Sequence, residues 1–224
     1  MFKKVYSGVR KIIKKIVKPK QEIRHALVGA PNVWKYTREF QFQFLLDQGL
    51  QKNDTLMDIG CGTLRGGIPM IQYLNNGNYY GIDVREEVLN EGRKEVKDAK
   101  LENKNPNLIS FNHFSELKIE TKFNVMFAFS VLIHLEDEIA ENCFQFVSKS
   151  LQVGGVFYAN ANIADFEDGQ WVEFPVVFRS EEFYNSLAVK NSLKMEVMGD
   201  LLSLGHSTNK NSDKQQIMLK FIKI

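Results

Sequence analysis

From residue 55 onward, short apolar runs alternate with longer segments whose apolar residues recur every three or four positions. The runs at 55–59, 78–82, 107–111, 123–129 and 154–160 have the length of buried strands. The segments at 67–74, 86–101 and 137–150 have helical spacing. A further helix is predicted over 37–48, with Phe40, Phe44, Leu45 and Leu46 facing inward and Gly49 at its end. Such alternation predicts an α/β fold, a mostly parallel sheet with helices on both faces. Right-handed crossovers then gather the carboxyl ends of the strands on one edge.

The pattern changes after residue 160. Residues 180–192 predict a helix, with Ser180 as N-cap and Glu181 and Glu182 in its first turn. Phe183 stands where a capping box would have Glu or Gln. Residues 193–200 and 216–222 read as two strands flanking a polar loop, paired as a hairpin that adds an antiparallel strand at the sheet edge. At the other end, Phe2, Val5, Val9, Ile12, Ile13 and Ile16 mark a helix over 2–18, stopped by Pro19.

Charge sets that first helix apart. Residues 1–20 hold eight of the 29 basic residues and no acid, leaving 21 basic against 27 acidic in the remaining 204. The division is therefore a basic amphipathic arm, 1–20, and a single domain, 21–224. The mildly acidic body argues against a broad nucleic-acid surface. The arm suits peripheral contact with an anionic membrane, docking on the body, or dimerisation. Hydrophobic content of 44% and charged content of 25% are those of a globular protein. Cys61 and Cys143 read as free thiols in a reducing, cytoplasmic compartment. No apolar run approaches the ~20 residues that span a bilayer, and the N-terminus lacks the uninterrupted apolar core of a signal peptide.

The candidate chemistry begins at Asp58-Ile59-Gly60-Cys61-Gly62-Thr63-Leu64-Arg65-Gly66-Gly67, followed by Tyr79-Tyr80-Gly81-Ile82-Asp83. Two apolar runs each end in an acid, 25 positions apart, with a glycine turn between. This is how adjacent parallel strands grip a nucleoside. A dinucleotide fingerprint would place its third glycine at position 65, where Arg65 stands. The acid-x-Gly-x-Gly order instead resembles motif I of the class I S-adenosylmethionine-dependent methyltransferases, without the third glycine of its commonest form. The resemblance spans about residues 35–224. It implies a Rossmann-like doubly wound sheet of about seven strands with an antiparallel last strand. It also implies a loop of Asp58, Gly60, Cys61 and Gly62 under the methionine part of the cofactor, and Asp83 on the ribose. The segments 38–46, 58–67 and 77–83 further resemble bacterial surface-polysaccharide methyltransferases.

Within that resemblance, the ends of the fourth and fifth strands face the methyl group. Ser130 would border the cofactor. His134 is the candidate general base, since its reference pKa lies near working pH; a structural role is equally open to it. His206, in the polar loop before the last strand, is a weaker candidate, and a surface position is its simpler reading. His113 and His25 are further alternatives. Asn112 offers an amide to the adenine edge. Arg65 would pair with a carboxylate or simply face solvent, and Tyr36, Arg38 and Gln41 are candidate contacts before the first strand. No Asn/Asp-Pro-Pro-aromatic or Pro-Cys sequence follows the fourth strand, which disfavours adenine, glutamine and cytosine-C5 acceptors. No cysteine–histidine cluster has zinc spacing, and no metal is expected. The expected activity is methyl transfer from S-adenosylmethionine, yielding S-adenosylhomocysteine, to a hydroxyl or amine of a small molecule or sugar in glycan synthesis. An RNA methyltransferase gripping phosphates with the arm, and a scaffold that binds cofactor without turnover, remain alternatives.

Overall fold

A computed structural model of the chain describes residues 24–29, 31–208 and 212–224. The arm at 1–20 and its expected helix lie outside the described residues. The elements are α1 (Trp34–Asp47), β1 (Leu56–Ile59), α2 (Gly67–Tyr73), β2 (Tyr79–Asp83), α3 (Glu86–Asp98) and β3 (Asn107–Ser110). Then come β4 (Phe123–Ala128), α4 (Asp137–Ser150), β5 (Leu151–Asn162), β6 (Gly169–Trp171) and β7 (Phe174–Val176). The chain ends with α5 (Glu181–Lys190), β8 (Leu193–Asp200), the short α6 (Ser212–Gln215) and β9 (Gln216–Lys223).

Seven strands form one sheet in the order β3-β2-β1-β4-β5-β9-β8. The first five run parallel, as the alternation predicts. β9 is antiparallel to both neighbours, with Asn160 opposite Met218 and Glu196 opposite Lys220. β8 and β9 thus pair as the expected hairpin, with the last strand antiparallel; it lies between β5 and β8, and β8 forms the edge. Its sequence allows this: Met218, Leu219 and Phe221 are buried, as an interior strand requires, whereas β8 alternates lysine and glutamate with apolar residues.

The sheet separates two apolar layers. On one face α4 and α5 pack Phe144, Val147, Tyr184 and Leu187 against Met57, Phe157 and Phe221. On the other, α1, α2 and α3 pack Phe44, Ile71 and Leu89 against Leu56, Phe127 and Tyr158. The helices thus leave the carboxyl ends of β1, β2, β4 and β5 open at one edge. At α5, Ser180 Oγ accepts from Phe183 N at 3.1 Å, so the predicted cap forms without a capping box. Among the described residues, no helix is long and apolar enough to cross a membrane.

One hairpin was not expected. β6 and β7 pair through Gly169–Val176 and Trp171–Phe174 in a separate two-stranded sheet after β5. The base of this excursion is fixed by Arg179, which pairs with Asp168 and Asp137, each at 2.6 Å.

Phe144 is completely buried, edge-on to Phe157 and Phe221. Phe144→Ala should lower the unfolding free energy by about 3–5 kcal/mol in denaturant titration. A loss well below that range would mean that this layer is not close-packed.

Candidate active site

The site starts at the turn after β1. Gly60 and Gly62 have φ of +66° and +57°, which favour glycine. A Cβ on Gly60 would lie 2.5 Å from Val131 Cγ2, and one on Gly62 would lie 2.6 Å from Val28 Cγ1. The turn is hung on β2: Gly60 N and Cys61 N donate to Ile82 O at 2.8 and 3.1 Å. Gly62 N donates to Asp83 Oδ2 at 2.9 Å, and Arg85 N to Asp83 Oδ1 at 3.0 Å. Burial raises the Asp83 pKa, opposed by these amides and by the Arg85 charge.

Asp58 sits behind the turn, where its Oδ2 accepts from Tyr79 OH at 2.7 Å. Burial pushes it up to about 7. Cys61 is buried in the apolar layer under the turn, and burial, then the Asp58 and Asp83 charges, hold its thiol protonated. Arg65 does not face solvent. It is half-buried and donates through Nη1 to Val28 O at 2.9 Å, while its buried Nε has no hydrogen-bond partner among the described residues. Burial lowers its pKa to about 10 against the pull of Asp58.

In front of the turn lies a cavity of about 850 Å³. Gly60, Gly62, Arg65, Asp83, Asn112, Ser130, His134 and His206 all line it, so the chain brings together most of the residues singled out from sequence. Asn112 and His113 stand exposed at its rim beside the buried Phe111 and Phe114. Ser130 is held in the left-handed region, φ +59°, with its N–H donating to Asn160 Oδ1 at 2.7 Å. That reversal starts the turn Leu132–His134 directly after β4.

His134 Nδ1 lies 2.6 Å from Pro175 O. A carbonyl only accepts, so Nδ1 carries the hydrogen and Nε2 has a lone pair. Trp171 and Phe174 stand with ring centroids 5.7 Å from the imidazole. Burial, then the Arg85 charge, lowers the His134 pKa, and the Pro175 contact opposes them.

His206 corrects the surface reading: it is 6% exposed, framed by Phe40 and Phe129. Its Nδ1 lies 3.1 Å from Asp213 Oδ1 and its Nε2 lies 3.2 Å from Thr37 Oγ1. Both nitrogens are thus engaged within the protein.

Four other candidates are also placed elsewhere. Tyr36 OH donates to Gly205 O and accepts from Ser207 N at 2.6 Å, clasping the β8–β9 connection rather than lining the cavity. Arg38 donates to Arg65 O at 2.9 Å and stacks 4.0 Å over Trp34, so it braces the turn from behind. His25 stacks on Trp34 at 3.6 Å, outside the cavity. Gln41 reaches only the small niche behind the turn. Sequence reasoning missed Thr37, Asn162, Trp171, Phe174 and Gln216, all of which line the cavity. Among the described residues, no group of three or more His, Cys, Asp or Glu could hold a metal ion.

The residues fit a nucleoside cofactor. The volume falls within the roughly 300–1,000 Å³ of ligand pockets. The two glycines form a cradle where a Cβ would collide, and a buried carboxylate stands at the end of β2. A family model described as a methyltransferase domain matches residues 50–218. The chain belongs to that family. It is an S-adenosylmethionine-dependent methyltransferase of class I fold.

Solved structures similar to the enzyme share its fold. The magnesium protoporphyrin IX methyltransferase of Synechocystis PCC 6803, with bound S-adenosylhomocysteine, is 14% identical with a TM-score of 0.66. That match covers 99% of this chain and 95% of the other. An S-adenosylmethionine-dependent methyltransferase of Clostridium acetobutylicum ATCC 824 is 16% identical, with a TM-score of 0.62 and coverage of 99% and 98%. The glycopeptide N-methyltransferase MtfA is 12% identical, with a TM-score of 0.64 and coverage of 84% and 90%. In sequence, the enzyme is 29% identical over 97 residues to an uncharacterized methyltransferase of Schizosaccharomyces pombe. The match covers 41% of this chain and about a third, 34%, of that protein.

Asp83→Ala removes the buried carboxylate at the end of β2 that the resemblance assigns to the ribose. Calorimetry with S-adenosylhomocysteine should register a loss of about 1.5–3 kcal/mol. Equal binding by the variant would remove Asp83 from the cofactor site.

Proposed function

We propose that the enzyme methylates a hydroxyl, or an amine, of a small molecule or sugar, with His134 as general base. The observation that carries this reading is the His134–Pro175 contact, which holds the ring of a cavity-lining histidine with its hydrogen on Nδ1 and leaves Nε2 unprotonated. Among the described residues, no hydrogen bond engages that nitrogen.

The cofactor, when bound, supplies a methyl group on a sulfonium centre, so its leaving group needs no acid. What remains for the protein is to hold the acceptor in line and take its proton. Ser130 and the turn after it set His134 just beyond β4 on the cavity wall, which supports a role where acceptor and cofactor would meet. The hairpin fixes the tautomer through Pro175 and adds the faces of Trp171 and Phe174.

Two kinds of wall support a sugar or similar polyhydroxylated acceptor. The aromatic faces suit the C–H face of a ring. Asn162, Gln215, Gln216 and Thr208 line the same cavity and offer donors and acceptors to hydroxyls. Glycan synthesis is the setting we infer from this chemistry together with the resemblance of segments 38–46, 58–67 and 77–83.

His134→Gln should reduce kcat by about 10²–10⁴-fold and leave S-adenosylhomocysteine affinity unchanged. A parallel loss of affinity would assign His134 to ordering the loop instead.

The pH profile is a separate test. His134 must be neutral to act, and burial holds its pKa below the ordinary histidine value. The acid limb should therefore have its midpoint below the ordinary histidine value of about 6.5, with activity levelling off above it. An acid limb centred above about pH 7 would contradict the assignment.

A further inference from the structure

Arg85 is a charge on the cavity wall that base catalysis by His134 leaves unused. It follows the end of β2, lines the cavity and is half-buried, its side chain 24% exposed. Its guanidinium is poorly matched where it lies. Nη1 donates to Leu27 O at 3.4 Å, longer than the usual hydrogen-bond range, and stands 4.0 Å from Glu173 Oε1. Nε is buried 3.7 Å from Asp83 Oδ1 and has no hydrogen-bond partner among the described residues.

The same side chain borders the aromatic ring that borders the base. Arg85 Cζ lies 5.1 Å from the Phe174 ring centroid, and the His134 ring centroid lies 5.7 Å from it. Trp171 stacks on Phe174 at 6.4 Å and on His134 at 5.7 Å. The carboxylates nearby do not satisfy the cation. Asp83 is taken up by Gly62 N and Arg85 N, and Asp213 by His206 and Thr208. Glu136 and Glu173 are exposed.

Arginine presents N–H donors in a planar fork that matches the paired oxygens of a carboxylate or phosphate. One long hydrogen bond leaves most of that fork open, and a buried donor without a partner costs free energy that an oxyanion restores. We propose that the methyl acceptor is an acid: Arg85 binds its carboxylate or phosphate, its body lies against Phe174 and Trp171, and its hydroxyl or amine faces His134. This rests on the acceptor reading above and narrows it, from sugars and small molecules in general to those bearing an acidic group. Arg85 is then a specificity determinant, because a neutral acceptor leaves the fork unpaired.

Calorimetry on the full chain saturated with S-adenosylhomocysteine tests it. The probes are D-glucuronate and D-glucose 6-phosphate, which separate a carboxylate from a phosphate, against neutral D-glucose at equal ionic strength. The wild type should bind one of the acids at least about tenfold more tightly than glucose, the worth of a hydrogen bond to a charged group. Arg85→Gln should erase that preference and leave S-adenosylhomocysteine affinity within about twofold of the wild type. Thermal melting checks that the variant is folded, with Arg85→Met, which keeps the stem against Phe174, replacing it if it is not. Acids bound no better than glucose, or not at all, overturn the proposal, as does a preference that survives the loss of Arg85. Binding is read here without turnover. A failure of His134 as base would show only in kcat, and the two outcomes stay distinct.

Discussion

Asp83 accepts from the amides of Gly62 and Arg85 at 2.9 and 3.0 Å, and much of the site hangs from that carboxylate. Parallel pairing sets Ile59 beside Ile82, so the two strand ends finish level and the glycine turn of β1 falls against the acid of β2. A carboxylate accepting backbone N–H bonds stays ionised more readily than burial alone would allow. The same group thus fixes the turn and, at the cavity wall, stands where the proposed ribose contact would need it. Gly60 and Gly62 allow the backbone to pass close to Val131 and Val28, and the cavity opens directly in front of them.

Around this bond the protein concentrates buried charge that packing must hold in place. Asp58 sits behind the turn, steadied by Tyr79, and Arg65 sits within it. The segment ahead of α1 closes over both. Arg24 reaches Glu91, Glu95 and Asp98 of α3 at 3.1, 2.8 and 3.0 Å, which draws Val28 onto the turn. Arg38, braced on Trp34, holds the Arg65 carbonyl from below. A charge-paired strap of this kind positions the turn without filling the cavity in front of it.

The grouping of Asp58, Gly60, Gly62 and Asp83 around one turn was legible because its signal is local. Asp58, Gly60, Gly62 and Asp83 lie in two strand–turn units whose spacing is fixed by one helix, and the alternation of apolar runs fixes the sheet around them. The positions of Ser130 and His134 on the cavity wall were legible for the same reason, as residues directly after a strand. The wall formed by the hairpin and the β8–β9 connection was not. β6 and β7 have three residues each, half-buried or exposed, so no alternation marks them, and Pro175 argues against a strand. His206 looked like a surface residue because its partner Thr37 is 169 positions away. Tyr36 was aromatic and close in sequence to the site, yet its helix turns it toward Gly205. The position of β9 between β5 and β8 is likewise a long-range choice, written only in the burial of Met218, Leu219 and Phe221.

The central claim is that the ends of β1 and β2 hold the nucleoside while the end of β4 faces the acceptor. A crystal structure of the full chain with S-adenosylhomocysteine tests it most directly. The ribose hydroxyls should lie within about 2.5–3.0 Å of the Asp83 carboxylate, the hydrogen-bond range for O–H donors. The thioether sulfur should face the side of the cavity bearing His134 Nε2. A ligand bound elsewhere, or one whose sulfur points away from His134 toward Asn112, would contradict the account.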